Sequence, residues 1–547
     1  MGTDNRRILV AAVVSVAILL VWQLLFPPPK PAPKPAEPAA AEAQKTPPPA
    51  APAGTPAPAS PAAAVAPAAP SAPEELVLLE TADFRATFTS HGGALKSYVL
   101  KDPKYQHEVK GKLVPIELVR VGGGSPYPYA VAASPELGGS GSLFEEASGR
   151  APMRVAARDG KSVTFEGTAG AAKLTKTFAV GDRPFELGLR LKVEGDRVGA
   201  VSVLGTGFLP QDAPKPGFFS GGAFVDYLRP ICRADGKTER LSDDKGEVKV
   251  PGAVQWAGLE QFYFLAVMLP EKVGGECTFL HGPVKGELAT AVRLPVERTL
   301  DTRLTLVVGP KQAELLKAYD RSLEQAIDYG PITRYFAFFA QLLMKLMKWF
   351  AGFVHNWGIA IMLLTLTVKL VLLPLTVKSM QSMNEMRKLQ PEIDKLREKF
   401  KDDKEQLNIA VMKMYQEHKV NPLGGCLPLL LQMPIFFALW AALQTSVELY
   451  REPFLWIQDL SLHDPIYVLP LVMGGSMFLM QKLSPQPADS TQAKMLLWFM
   501  PIFFTFIMFQ LPAGLALYSV VNNVLSIIQQ QIMNRRSPMP APAGGKS

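Results

Sequence analysis

The stretch Trp357-Gly-Ile-Ala-Ile-Met-Leu-Leu-Thr-Leu-Thr-Val-Lys-Leu-Val-Leu-Leu-Pro-Leu-Thr-Val377 decides how this chain is read. It has the apolar character of a membrane helix, which needs ~20 residues to cross a ~30 Å hydrocarbon core. Lys369 nevertheless sits inside it. At ~1.5 Å per residue, Lys369 lies roughly 18 Å from the Trp357 end, past the midplane. A lysine at that depth costs about 2.5–3.5 kcal/mol on insertion scales, so it is expected to face protein or water and to mark a functional site. The competing reading is snorkelling, in which its aliphatic stem carries the ammonium back toward the Lys378 end.

Further apolar segments surround this one. Residues 8–26 follow Arg6 and Arg7, run longer than the about 7–15-residue core of a secretory signal, and read as an uncleaved N-terminal anchor, 1–26. The others lie in the last third, at about 425–445, 465–482, 495–511 and 513–533. Lys378, Arg387, Lys388, Lys395, Arg397, Lys399, Lys401, Lys404, Lys413 and Lys419 follow the Lys369 segment, whereas the next loop carries only Arg451. The positive-inside rule therefore puts both termini in the cytoplasm and residues 27–356 outside. These basic loops also account for much of the net charge of +8. No aromatic-interleaved basic groove or nucleic-acid motif accompanies it, so no specific nucleic-acid sequence is expected as a partner.

Residues 27–75 are Pro/Ala-rich and read as an extended tether. From 76 to 330 short period-two runs alternate with Gly, Pro and Asp, as in Asp83–Thr89, Ser162–Gly167, Phe185–Val193 and Thr302–Val308. That pattern predicts a large antiparallel sandwich, followed by a helical piece from Lys311 to Tyr319. His91 precedes Gly92-Gly93 and reads as turn chemistry, while His107 and His281 lack partners at metal-ligand spacing. No cofactor, metal or covalent catalysis is expected. Cys232 and Cys277 share this outer domain, where a disulfide is permitted, but the sequence does not show them close.

Residues 331–356 form an amphipathic helix expected in the membrane–water boundary. Arg334, Gln341, Lys345 and Lys348 share one face; Phe336, Phe339, Leu343, Leu346, Phe350 and Phe353 share the other. A core helix of the sandwich is the alternative. In residues 378–421, Met386, Leu389, Ile393, Leu396 and Phe400 step by helical spacing, as do Leu407, Val411, Met414 and His418. These seams predict an antiparallel hairpin, with Asp403 and Gln406 resembling a capping box. Its outer face, including Arg387, Lys388, Arg397, Lys399 and Lys404, is mixed in sign and suits a docking arm, although a solvated face explains such charges equally well. Residues 422–536 hold four further spans and 537–547 a short cytoplasmic tail.

Polar residues recur within these spans. Thr365 lies one turn before Lys369 and Thr376 two turns after it; Tyr518, Asn522, Ser526 and Gln530 follow one another at four-residue steps; Gln432 precedes Met433-Pro434. Singly, each is interhelical glue worth ~0.6–2 kcal/mol. Together they predict a wet cavity in the bilayer. No Asp or Glu occurs in the spans at 357–377, 425–445, 495–511 or 513–533, so the lysine leaves a place for an acid supplied by a guest.

The chain resembles the YidC family of membrane protein insertases in its Gram-negative form. Lys419-Val-Asn-Pro-Leu-Gly-Gly-Cys-Leu-Pro-Leu-Leu-Leu-Gln-Met-Pro-Ile-Phe436 carries the resemblance most specifically, supported by Leu389-Gln-Pro391, Phe499-Met-Pro501 and Ile527-Ile-Gln-Gln-Gln531. The resemblance implies a bacterial inner-membrane protein with an N-terminal anchor, an α-helical five-span core, a periplasmic all-β supersandwich and a cytoplasmic helical hairpin. It implies a hydrophilic groove at Lys369, Thr365, Gln432, Tyr518 and Asn522, and a client slide at Met433, Phe436 and Phe503. Many members carry arginine where Lys369 stands, so this chain keeps the charge and loses the planar fork. Implied partners are nascent membrane proteins, the lipid bilayer, the ribosome, the signal recognition pathway, and the SecYEG translocon with its accessory subunits. The short tail after Arg536 leaves ribosome contact to the hairpin and the 483–494 loop.

An insertase is therefore the expected function. A solute transporter would bring an inverted repeat and paired intramembrane charges, neither of which is visible. An anchored envelope enzyme would place its chemistry in residues 76–330, where no nucleophile elbow or phosphate loop is found.

Overall fold

The computed structural model describes residues 73–109, 112–121, 125–140, 143–144, 151–208, 228–241, 246–282, 287–319, 321–329, 333–400, 403–418, 420, 427–483 and 491–536. The expected anchor, most of the tether, Cys426 with residues 421–425, the loop 484–490 and the tail 537–547 lie outside the described residues.

Strand Glu186–Glu194 shows why the region before the helices is β. Leu187, Leu189, Leu191 and Val193 are fully buried while Arg190 and Lys192 face out, the two-residue period of a pleated strand. It pairs antiparallel with Ala172–Val180 on one side and Thr299–Pro310 on the other. The nine-stranded sheet it belongs to runs, neighbour to neighbour, Lys237–Arg240, Arg229–Ala234, Val254–Glu260, Phe264–Pro270, Thr299–Pro310, Glu186–Glu194, Ala172–Val180, Ser162–Ala169 and Arg154–Arg158. A five-stranded sheet of Val248–Val250, Glu276–His281, Leu288–Val296, Gly199–Gly205 and Val131–Ala133 packs on it. A three-stranded sheet, Leu76–Glu80, Phe84–Thr89 and Ala94–Leu100, contributes Phe84, Phe88 and Tyr98 to the same core. All four quoted period-two runs are strands, and His91 sits in the turn, bridged to Pro152 and followed by Gly92 and Gly93 at positive φ.

Nine α-helices follow among the described residues: α1 Ala313–Lys317, α2 Ala337–Val354, α3 Trp357–Lys388, α4 Gln390–Lys399, α5 Lys404–Glu417, α6 Leu427–Thr445, α7 Val468–Leu483, α8 Thr491–Met508 and α9 Ala513–Arg536. One departure from expectation concerns α3, which continues to Lys388 rather than ending near Val377. Hydropathy falls at Lys378, but Ser379–Lys388 contains neither Gly nor Pro, and the helix restarts only at α4, with Pro391 in its first turn. The α2 helix and the Trp357–Met386 part of α3 are long and apolar enough to cross a membrane; the other apolar helices are shorter.

The face expected to be apolar on α2 splits in two. Leu343, Leu346 and Phe350 pack against the helical core, whereas Phe338, Phe339, Leu342, Trp349 and Phe353 are exposed. Ala340 meets Ala438, Ala441 and Ala442 of α6, small residues that let the two backbones approach. Lys348 pairs with Glu314 of α1 and with Glu448 of the loop after α6.

That loop joins the two regions. Val447 is fully buried in the sandwich core, and Tyr450 packs beside Tyr105, Tyr263 and Phe264. Arg451 donates to the Gln106 carbonyl at 2.9 Å, and Lys104 pairs with Glu452 at 2.7 Å. In the sequence this loop reads only as a sparsely charged connection, with no sign of docking.

Candidate functional site

The helical core brings α3, α6 and α9 together: α9 packs on α3 and α7, α6 on α2 and α3, α8 on α7. Apolar packing of Ile361, Leu364, Leu439, Leu443, Leu515 and Tyr518 holds the Trp357 half of α3, the Thr445 half of α6 and the Ala513 half of α9. Below that packing lie the polar side chains. Lys369 Nζ donates to Ser526 Oγ at 2.7 Å, and that hydroxyl donates on to the Asn522 carbonyl at 2.7 Å. Ser526 lies ten residues, roughly 15 Å, short of the Arg536 end of α9. The ammonium is thus held at mid-helix depth rather than snorkelled to a helix terminus. Two turns on, Gln529 Nε2 donates to Thr376 Oγ1 at 2.8 Å, so α3 and α9 run parallel through both links.

Gln432 and Tyr518 meet as expected, the amide of α6 donating to the phenol oxygen of α9. Asn522 is half-buried beside them. Thr365 behaves differently: it is buried, and its hydroxyl donates to the Ile361 carbonyl of its own helix at 2.7 Å. It therefore points its donor into the backbone and not at Lys369. Within the stripe on α9, Gln530 bonds Asn534 of the same helix, while its neighbour Gln529 makes the interhelical link. Asn523 reaches Ser476 of α7 at 3.1 Å. Among the described residues no carboxylate pairs with Lys369; Lys311 in the sandwich, by contrast, has Glu260 at 2.7 Å.

Of the slide residues, Met433 and Phe503 are exposed and Phe436 is half-buried against the core. Phe503 stacks on Phe499 at 5.4 Å, and Trp498, Ile502 and Phe506 extend the exposed face of α8. This places bare apolar surface on α6 and α8.

Helices α4 and α5 pack along part of the predicted seam; Phe400 and Leu407 stay outside the packed cluster, and His418 is exposed beside Glu392. Leu389, Ile393 and Met414 are buried together with Met386, Leu396 and Val411 around them, and Tyr415 joins them, a seam residue the spacing had not marked. Asp403 caps α5 by accepting from the Glu405 and Gln406 amides. Arg397 pairs with Asp394 at 3.2 Å; Lys388 and Lys399 are exposed, the latter over the Phe400 ring. The side chains of Arg387 and Lys404 lie outside the described residues.

Comparison with known proteins identifies the family. Residues 349–540 match the family described as 60Kd inner membrane protein, and residues 76–346 match the YidC periplasmic domain. A "Membrane protein insertase YidC" of Anaeromyxobacter dehalogenans is 55% identical over 553 residues, covering 100% of both chains. Another, of Geobacter metallireducens, is 36% identical over 547 residues, covering 97% of this chain and 98% of the relative. A crystal structure titled as an active YidC insertase with the first transmembrane domain resolved is 20% identical at a TM-score of 0.37, covering 85% of this chain and 93% of that one.

Proposed function

The chain belongs to the YidC family of membrane protein insertases, which are not enzymes, and we propose that it works through a polar groove between α3, α6 and α9. A client's short polar segment enters from the cytoplasm and is drawn to Lys369. The client's apolar segment then leaves past Met433, Phe436 and Phe503 into lipid. Transfer of a ~20-residue apolar helix supplies the free energy, since each buried CH₂ contributes about 0.8 kcal/mol while a short tail loses only its hydration briefly. The observation that carries this reading is the ammonium at mid-helix depth, tied to one hydroxyl and to no described carboxylate. An ammonium has three donors, so it retains capacity for an acidic guest.

In this reading five helices, α3 and α6 to α9, cross the inner membrane with both termini cytoplasmic. The α2 helix lies along the outer boundary with its exposed aromatic side chains in lipid. The α4–α5 hairpin, with Arg387, Lys388, Arg397, Lys399 and Lys404, meets the ribosome and the signal recognition pathway, and the core works alone or beside SecYEG. Thr365 lines the groove by its methyl group, its hydroxyl being engaged in its own helix.

Photo-crosslinking from position 369 to stalled nascent chains tests the groove. Adducts should appear while a client's polar segment is in transit and vanish once its apolar helix is released. Adducts only to lipid, at every stalling length, would sink the reading.

A further inference from the structure

We propose that Cys232 and Cys277 are joined by a disulfide in the mature protein, a covalent staple between the two large sheets of the sandwich. Cys232 lies in strand Arg229–Ala234 of the nine-stranded sheet and Cys277 in strand Glu276–His281 of the five-stranded sheet. Both are fully buried. Their orientation follows from the strand period: Cys232, Ala234, Cys277 and Phe279 line the common core, whereas Ile231 and Leu280 belong to clusters on the outer faces. The two side chains thus project from opposite sheets into the same layer.

Stacked sheets usually stand ~10 Å apart, too far for the roughly 4.4–6.8 Å between Cα atoms that a disulfide spans. Here small residues pinch the sheets together. Cys232 stands opposite Ala257, next to Gly258. The Thr290 hydroxyl of the other sheet donates to the Gly258 carbonyl at 2.6 Å, and a Cβ on Gly205 would stand 3.7 Å from the Gly258 Cα. The Arg229–Ala234 and Glu276–His281 strands touch, and the Cys232 thiol is near enough to Cys277 to raise its pKa.

The bond forms by thiol–disulfide exchange. One cysteine, as thiolate, attacks a disulfide oxidant of low molecular weight or on a protein, releasing one thiol. The second cysteine then displaces the other. The two cysteines lose two electrons and two protons in all, and the oxidant gains them as two thiols. Burial, and then the neighbouring thiol, push Cys277 well above the ordinary thiol range, so the folded Cys277 thiol is unreactive. The exchange belongs to the folding domain, before the sheets close over it. The inference rests on the reading that residues 76–330 face the periplasm, where disulfides persist.

Purified full-length protein, unfolded in denaturant at about pH 8 with excess iodoacetamide already present so that thiolates are trapped as they appear, supplies the test. Without reductant one cysteine, Cys426, should be modified, and the peptide map should contain Cys232 linked to Cys277; after reduction all three should react. In a Cys232→Ser chain, Cys277 should react without reductant. Three reactive thiols in the unreduced wild-type chain overturn the proposal. A Val198→Cys label in a chain otherwise lacking cysteine then shows which premise failed. If an impermeant maleimide reaches this exposed position in spheroplasts, the domain is periplasmic and the disulfide alone is wrong; if it reacts only after lysis, the compartment reading is wrong as well.

Discussion

Lys176 in the sandwich and Lys369 in the helical core are both cations among apolar side chains, and neither pairs with a carboxylate among the described residues. Their surroundings differ in what they leave over. Lys176 is fully buried; its Nζ donates to the Gly92 carbonyl at 3.1 Å and the Tyr129 carbonyl at 2.6 Å, and stands 5.4 Å from the centre of the Phe178 ring. Two backbone dipoles and a π-face occupy it. Lys369 is half-buried, and among the described residues its hydrogen-bond partner is a single hydroxyl. A closed cation fixes a fold, while one with spare donors can receive a guest. Lys311 is the third case: buried, but tied to Glu260, which also binds Arg229 and Arg240.

Four perturbations break or sharpen that contrast, the largest first. Glu260→Gln should cost the sandwich about 3–5 kcal/mol, because Lys311 is left buried without its counter-charge; denaturant unfolding of the full chain, followed by proteolysis of residues 76–330, measures it. Burial pushes the Glu260 carboxyl up, but Lys311, Arg240 and Arg229 together hold it below its ordinary value. Lys369→Glu should lower insertion of an acidic-tailed client by roughly tenfold or more, since opposed like charges cost several kcal/mol, whereas Lys369→Arg should retain it. Protease protection of the client in depletion-rescue cells reads both, and equal insertion by the Glu and Arg variants would remove Lys369 from the mechanism.

The third concerns pH. Burial lowers the Lys176 ammonium from 10.5 to about 7. Between these values the unfolded chain holds a proton that the folded chain releases, so this lysine makes the sandwich more stable as pH rises from about 7 toward 10.5, and its full cost is present below about 7. Hydrogen exchange of residues 172–180, corrected for intrinsic rates, should show that rise and lose it in Lys176→Met. The smallest effect is Ser526→Ala. Loss of one hydrogen bond to a charged group, about 1.5–3 kcal/mol gross and less with water replacing it, should slow insertion only a few-fold. A complete block would mean that Ser526 contacts clients itself.

Much of this was legible before any coordinates. The run at Phe185–Val193 declares its strand because alternate side chains must enter a core, and Ile393 and Met414 declare the hairpin by helical spacing. Lys176 escaped notice although the same period places it with Leu174 and Phe178 on the inward face; alternation is read from apolar residues, and a lysine inside it looks like a surface position. The four-residue stripe points to Gln530 and passes over Gln529, because an ideal spacing ignores the drift of a real helix around its partner. The helix end at Lys388 was hidden because hydropathy reports the medium and not the backbone. Docking of Val447 and Tyr450 had no signal, since a few side chains in a loop have no period.

The clasp formed by Val447, Tyr450, Arg451 and Lys104 also sets a mechanical boundary condition. It fixes α6 at its Thr445 end, against a sandwich built from two packed sheets. A rod clamped at one end moves least there and most at the other. For α6, the far end carries exposed Leu430 and Met433, so on the proposed groove reading the helix is anchored at one end and meets a client at the other.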